Sequence, residues 1–259
     1  MKITPIQFNF VQSKPQNTVN RPLQMNKGLM TDVVSFTGSD KQEKTKKKLE
    51  DLEPKHKGII YKKVRDEKGN VIKKIPVEVD IVNWGEGEFQ FKLDDECIGY
   101  VQLHHIPAEE CDKNSWAELY MNYKEEGVVG DRLEVKYLSN QNEEEYGGIG
   151  HLADLLEVAA CKEMGIKPNV ISHAALNASP LHYVRGKRFI PYERYCSIEE
   201  RDEYDILDKN PNDTIKEIIE STPKGEKFDT SELDMFLVMY MPKDMIKSLE
   251  KELKKHPIF

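Results

Sequence analysis

The sequence predicts an α/β fold, a mixed and mainly antiparallel sheet flanked by helices. Three observations predict it. Between residues 58 and 138, short segments alternate apolar and polar positions with polar turns between them, the period of half-buried strands. At residues 147–150 a glycine-rich run passes directly into apolar positions at helical spacing. Beyond that helix, short strand-like and helix-like segments alternate to the C-terminus. Strands in series followed by mixed elements fit an antiparallel meander completed by helices.

The elements follow in order. Residues 1–57 are expected to be a disordered basic leader and linker. Residues 1–40 are rich in Asn, Gln, Pro, Ser and Thr, with isolated Phe8, Phe10 and Phe36, a composition that buries too little apolar surface to order itself. Residues 41–57 form a short helix or a linker. The first 57 residues carry 11 Lys/Arg against 6 Asp/Glu, a net +5, whereas the remainder nets −13. Residues 58–259 make the folded domain. GIIYKKVRDEKGNVIKKIPVEVDIV forms a hairpin about Lys68-Gly69-Asn70. EFQFKL, CIGYVQLHHI, SWAELYMNY and RLEVKYL are further strands. The long helix shows apolar residues at Ile149, Leu152, Leu155, Leu156, Ala159 and Ala160, one buried face. It ends at Gly165, with Ile166 as the hydrophobic contact and Pro168 blocking continuation. NVISHAAL is a strand, ASPLHYVRGK a short helix and FIPYERY a strand. Residues 197–230 read as an acidic insertion holding a helix at 213–221. MFLVMYM is a buried strand and KDMIKSLEKELKK a terminal amphipathic helix.

Composition narrows the function. Cys97, Cys111, Cys161 and Cys196 lie far apart, without the close pairs of a metal site, so four reduced thiols and no metal are expected. No apolar run approaches a membrane span, and the N-terminus lacks a secretory core. A cytoplasmic protein without membrane or nucleic-acid partners is the expectation, because the body is acidic and shows no basic-aromatic stripe.

The chemistry centres on Gly147-Gly148-Ile149-Gly150. Glycines allow close backbone approach, and a helix start presents unpaired N–H groups, so the turn suits a phosphate or pyrophosphate. Gly148-x-Gly150-x-x-Ala153 formally matches a dinucleotide fingerprint. However, the polar run 139–146 separates it from the preceding strand, and no acidic residue follows at about 20 positions.

The order strand, polar turn, x-x-x-G-x-G, long helix, strand, short helix with Asn and Tyr resembles the GCN5-related N-acetyltransferase (GNAT) superfamily. The resemblance is specific over residues 131–195 and extends as strand order over 85–245. It implies an acetyl-CoA-dependent N-acetyltransferase acting on a small-molecule or peptide amine, as a monomer or homodimer. The family motif R/Q-x-x-G-x-G/A corresponds to Glu145-Tyr146-Gly147-Gly148-Ile149-Gly150, with Glu145 in place of the basic or amide residue. The resemblance implies that Gly147, Gly148, Ile149, Gly150 and His151 hold the coenzyme pyrophosphate. It further implies that a backbone amide near Tyr137-Leu138 polarises the thioester and that Asn177 contacts the coenzyme. Tyr183 is the implied general acid, one residue before the position the family gives to Tyr, which here is Val184. Arg188 replaces a customary Gly, and His182 competes with Tyr183 for the acid role. Arg185, Lys187 and Arg188 are candidates to meet the coenzyme phosphates.

Glu134 is the best-placed carboxylate for general base, on a strand where Leu133, Val135 and Tyr137 share one face; a lysine partner is its structural alternative. His104 and His105 face opposite sides of a neighbouring strand, so one lines the cleft. The functional alternative is a GNAT-like binding or regulatory protein without turnover, motivated by Glu145, Arg188 and the displaced Tyr183. A chain lacking residues 1–40 is expected to unfold at the same urea concentration as the full chain; a lower midpoint would refute the leader assignment.

Overall fold

A nine-stranded sheet carries the fold of the computed structural model, which describes residues 47–110, 130–173, 178–190, 210–223, 226–231, 233 and 238–259. The leader 1–40, the expected strand at 115–123, Asn177, Cys111 and Cys196 lie outside these residues. The strands are β1 (Gly58–Arg65), β2 (Val71–Gly85), β3 (Glu88–Leu93), β4 (Glu96–Ile106), β5 (Arg132–Asn140), β6 (Tyr146–Gly147), β7 (Val170–His173), β8 (Arg188–Phe189) and β9 (Val238–Tyr240). The helices are α1 (Ile149–Glu163), α2 (Ser179–Arg185), α3 (Pro211–Ser221) and α4 (Lys243–Leu253).

Their order across the sheet is β6-β1-β2-β3-β4-β5-β7-β9-β8. Among the described residues every pairing is antiparallel except β5 with β7. That exception follows from α1, which carries the chain back to start β7 alongside β5. The hairpin turns where Gly69 takes a φ of +83°. The two-residue β6 has no sequence signature; it exists because Tyr146 and Gly147 pair with Lys62 and Tyr61 of β1.

Helix α1 departs from expectation. Instead of one buried face, all residues from Leu152 to Cys161 are buried. The sheet covers one side, and Leu249 and Leu253 of α4 join the same core. The ion pair Lys162–Glu250 (3.1 Å) and the contact of His151 Nε2 with the Glu252 carboxylate (3.1 Å) tie α4 to α1 at two points. The helix ends as predicted: Ile166 N–H donates to the Cys161 carbonyl and Gly165 N–H to that of Lys162, with Gly165 left-handed at φ +73°. Cys161 is buried on this helix, and burial pushes its thiol up to about 12, so it supplies no thiolate nucleophile near neutrality.

A second apolar cluster lies around Ile171, Phe189, Ile215, Ile218, Met239 and Tyr240. Part of the stretch read as an acidic insertion closes it. Asn212 of α3 clamps Phe189 by accepting its N–H (2.8 Å) and donating to its carbonyl (2.9 Å), and Ile215 and Ile218 enter the cluster.

The core also begins before Gly58. A single 3-10 turn at Leu49–Asp51 buries Leu49, and Leu52 follows at 0% exposure. The Asn83 amide donates to the carbonyls of Leu49 (3.0 Å) and Leu52 (2.8 Å), holding this strap against β2. Leu52→Ala is therefore expected to cost about 2–5 kcal/mol, read by urea unfolding. A change below about 1 kcal/mol, smaller than a core deletion of this kind produces, would show that the strap is not part of the core.

Candidate functional site

Strand β5 takes two partners along its length, and this makes a fork. Among the described residues it runs parallel to β7 for three pairs: Leu133 with Val170, Glu134 with Ile171 and Val135 with Ser172. Beyond these, β5 stays on β4 as far as Asn140 opposite Gly99, while His173 stays on β9 opposite Val238. Among the described residues, which carry β7 only as far as His173, no β5–β7 pair follows Val135 and Ser172, and each strand keeps its antiparallel neighbour. Along Lys136–Asn140, the β7 side of β5 has no strand partner among the described residues. Such an edge presents backbone N–H and C=O groups to an extended ligand.

A β-bulge sits at the crotch of the fork. Tyr137 lies opposite Gln102 and Val135 opposite Leu103, leaving Lys136 as the extra residue. The bulge corrects the face assignment made from alternation. Tyr137 does not share the face of Leu133 and Val135. Leu138 instead packs against the core, and Tyr137 is 64% exposed. An inserted residue reverses the alternation beyond it and re-aims the side chains.

The glycine turn stands at the start of α1. Gly148 has φ +94°, and a Cβ there would lie 3.1 Å from the Tyr61 ring, so both backbone and space require glycine. At Gly150 a Cβ would meet the Arg185 guanidinium at 2.6 Å. Glu145, at the motif position where a basic or amide residue is usual, is paired with Lys62 of β1 at 2.9 Å. That ammonium holds the Glu145 carboxyl below its usual range. Lys63 donates to the Glu143 carbonyl, and Arg65 to that of Glu144 at 3.0 Å. Lys63 also lies 3.2 Å from the Cβ position of Gly147. Burial lowers the Lys63 ammonium, and the like charges of Arg65 and Lys74 add to the effect. The basic groups around the turn thus come from β1 and, at Gly150, from Arg185. The run Lys62-Lys63-Val64-Arg65 was visible in the sequence, but nothing local linked it to a loop about 80 residues further on.

Beneath the turn lies a buried charge cluster. Asp154 and Glu157, one helical turn apart on α1, are both at 0% exposure. The Lys187 ammonium, also buried, lies 3.3 Å from Asp154 and 3.1 Å from Glu157. The Arg185 Nε donates to Asp154 at 2.8 Å, and its Nη2 lies 2.7 Å from His182 Nδ1. Burial, assisted by Asp154, pushes Glu157 up to about 7 against the pull of Lys187. Burial alone would depress Lys187, but the two carboxylates outweigh it and hold the ammonium above its ordinary value. His182 is pushed down to about 3 by burial and by Lys187 and Arg185. It is a neutral imidazole that accepts from Arg185, rather than an acid. Lys187 belongs to this cluster, not to the surface.

The remaining candidates are placed as follows. Glu134 is buried, with Lys136 Nζ at 2.6 Å and His104 Nδ1 at 3.8 Å. Its lysine partner lies two residues along the same strand. His105 lies 3.8 Å from Asp131 instead. Tyr183 is half-buried against the second cluster, its ring 4.2 Å beneath the Arg188 guanidinium, while Val184 is 64% exposed. Tyr183 therefore turns inward where Val184 does not. His104, Glu134, Ile171, Tyr240 and Arg188 are successive cross-strand neighbours in one row. Glu134 and Arg188 are three strand spacings apart in it, about 14 Å between their backbones. His151 is held by Glu252 of α4. A cleft of about 460 Å³ opens beside Arg185, bounded also by His151, Arg188, Tyr240, Asp244 and Met245.

No protein-family model matches the chain, and no curated protein matches it. Among solved structures, the chain is similar to the Bacillus subtilis N-acetyltransferase YlbP in complex with coenzyme A. The identity is 11% and the TM-score 0.31, over 46% of this chain and 64% of that one, less than two thirds of its length.

The buried cluster makes stability depend on pH. Glu157 keeps its proton up to about 7 in the fold, against 4.5 ordinarily. Its contribution is complete below 4.5 and is lost as pH rises through 7, on the order of 3 kcal/mol. His182, depressed to about 3 from 6.5, acts oppositely: its contribution is complete above 6.5 and is lost as pH falls. The two slopes cancel between about 4.5 and 6.5, so a plateau with a fall on each side is expected. In urea unfolding between about pH 6 and 8, the window around the Glu157 transition, Glu157→Gln should lack the alkaline fall. Parallel curves for the two proteins would rule this origin out.

Proposed function

We propose that the chain is an acetyl-CoA-dependent N-acetyltransferase for an amine, with the β5–β7 fork as the coenzyme site. The observation that carries it is the fork itself: among the described residues, a three-residue parallel pair that ends at a bulge and is connected by a helix starting on a glycine turn. In open α/β sheets, ligands sit beyond the carboxyl ends of strands where neighbouring connections diverge.

The pieces match the coenzyme's chemistry. Its pyrophosphate would meet the first N–H groups of α1, with Lys63 and Arg185 nearby. Its extended, amide-bearing arm would run along the open edge of β5 past Tyr137 and Leu138. That brings the thioester toward the crotch, where the bulge at Lys136 re-aims the backbone. In the reaction the amine nitrogen bonds to the acetyl carbon, the carbon–sulfur bond breaks, and the thiolate takes a proton. Glu134 takes the amine proton in this proposal and Tyr183 supplies the thiolate's. Asn177 remains the residue that the family resemblance assigns to the coenzyme.

One observation favours a second reading, binding without turnover: Glu134 is engaged by Lys136 and His104, and Tyr183 by Arg188. Titration calorimetry with acetyl-CoA, followed by thiol release against a panel of amines, separates the two. Binding with thiol release is expected, and Tyr183→Phe should lower turnover about 100-fold while leaving coenzyme affinity unchanged. Absence of binding at millimolar acetyl-CoA would sink both readings. Binding without release would favour the second.

A further inference from the structure

Ser172 is the last β7 residue paired with β5 among the described residues. It is 3% exposed, and its hydroxyl oxygen is buried without a hydrogen-bond partner among the described residues. Its neighbours in the ladders are Val135 on one side and Met239 on the other, and neither side chain offers an oxygen or nitrogen to accept a proton. A buried hydroxyl left unpaired costs about 1–3 kcal/mol, so a strand position flanked by apolar side chains favours alanine or valine over serine. Its place in the fold supplies a reason for serine. The adjoining position along the ladder is the crotch, with the bulged Lys136 on the β5 side. A change of χ1 well swings the oxygen without moving the strand, since a serine side chain has three staggered rotamers.

We propose that Ser172 is a coenzyme-binding residue that donates its hydroxyl to a carbonyl oxygen of the extended arm of acetyl-CoA at the crotch of the fork. The assignment rests on the coenzyme site proposed above. It makes the serine specific for the arm and indifferent to the nucleotide end, which the glycine turn and its basic neighbours would hold.

The test uses the full chain, Ser172→Ala, and two probes. Acetyl-CoA carries the arm; adenosine 3′,5′-bisphosphate lacks it. Loss of one neutral hydrogen bond should weaken acetyl-CoA binding about 3- to 10-fold and leave bisphosphate binding unchanged. The ligand-free variant should melt at the same temperature as the parent or higher, because an uncompensated hydroxyl has been removed. Equal acetyl-CoA affinity in parent and variant would overturn the inference and leave the coenzyme site standing. Equal weakening of both probes would overturn it too, as a general disturbance. A parent that binds neither probe would overturn the coenzyme site and the inference together. Should the alanine variant not fold, Ser172→Cys gives the same comparison, with the weak thiol donor predicting a loss in the same direction.

Discussion

Two carboxylates buried on one turn of a helix constrain the rest of this structure. Asp154 and Glu157 have no access to water, and burying unpaired charge is prohibitive. The chain must deliver cations to them. Lys187 and Arg185 do so from the turn that joins α2 to β8. That requirement fixes α2 against α1 and sets where β8 enters the sheet. It also draws the Arg185 guanidinium onto Gly150, where any side chain would collide with it. The space beside Gly150 is thus occupied by the charge cluster. Replacing the whole cluster with apolar residues could be as stable; what it supplies is the register of α2 on α1.

The fork is the second consequence of competing partners. A parallel pair is slightly weaker than an antiparallel one, and here each parallel strand has an antiparallel neighbour on its other side. Past Val135 and Ser172, β5 keeps β4 and β7 keeps β9. The bulge at Lys136 lets β5 turn with β4 without losing Leu138 from the core. An edge left unpaired among the described residues, flanked by a re-aimed backbone and a buried serine without a described partner, is costly for a purely structural sheet. It is economical for one that closes on an extended ligand.

Much of the architecture was legible in the sequence, because strand alternation, the Gly165 stop and the apolar helix are local signals. The hairpin about Gly69 and the four described helices fell where turn residues and periodicity put them. What escaped was whatever depended on distant pairing. No local pattern marks β6, since two residues become a strand only by lying beside Tyr61 and Lys62. The face of Tyr137 was misjudged because a bulge is invisible to strict alternation. The full burial of α1 was missed because Asp154 and Glu157 look like a solvated face until Lys187 is placed against them. For the same reason Lys187 reads in the sequence as a candidate for coenzyme phosphates, and His182 as a candidate acid until burial is known.

The acidic look of the glycine loop shows why a motif position cannot be judged by its own residue. Glu145 stands where a cation or amide is usual, on a body whose net charge is −13. Net charge is a sum over the whole surface, whereas a bound anion responds to groups within roughly a Debye length, about 8 Å. Within that range Glu145 is neutralised by Lys62, and Lys63 and Arg65 bind the loop's carbonyl oxygens rather than its carboxylates. The Glu143 and Glu144 side chains remain exposed, where solvent screens them. The cationic character that the motif lacks in sequence is supplied by a strand that pairs with it in space. That exchange is possible only because the loop ends in β6: the pairing which seemed incidental to the sheet is what brings β1's lysines to the turn.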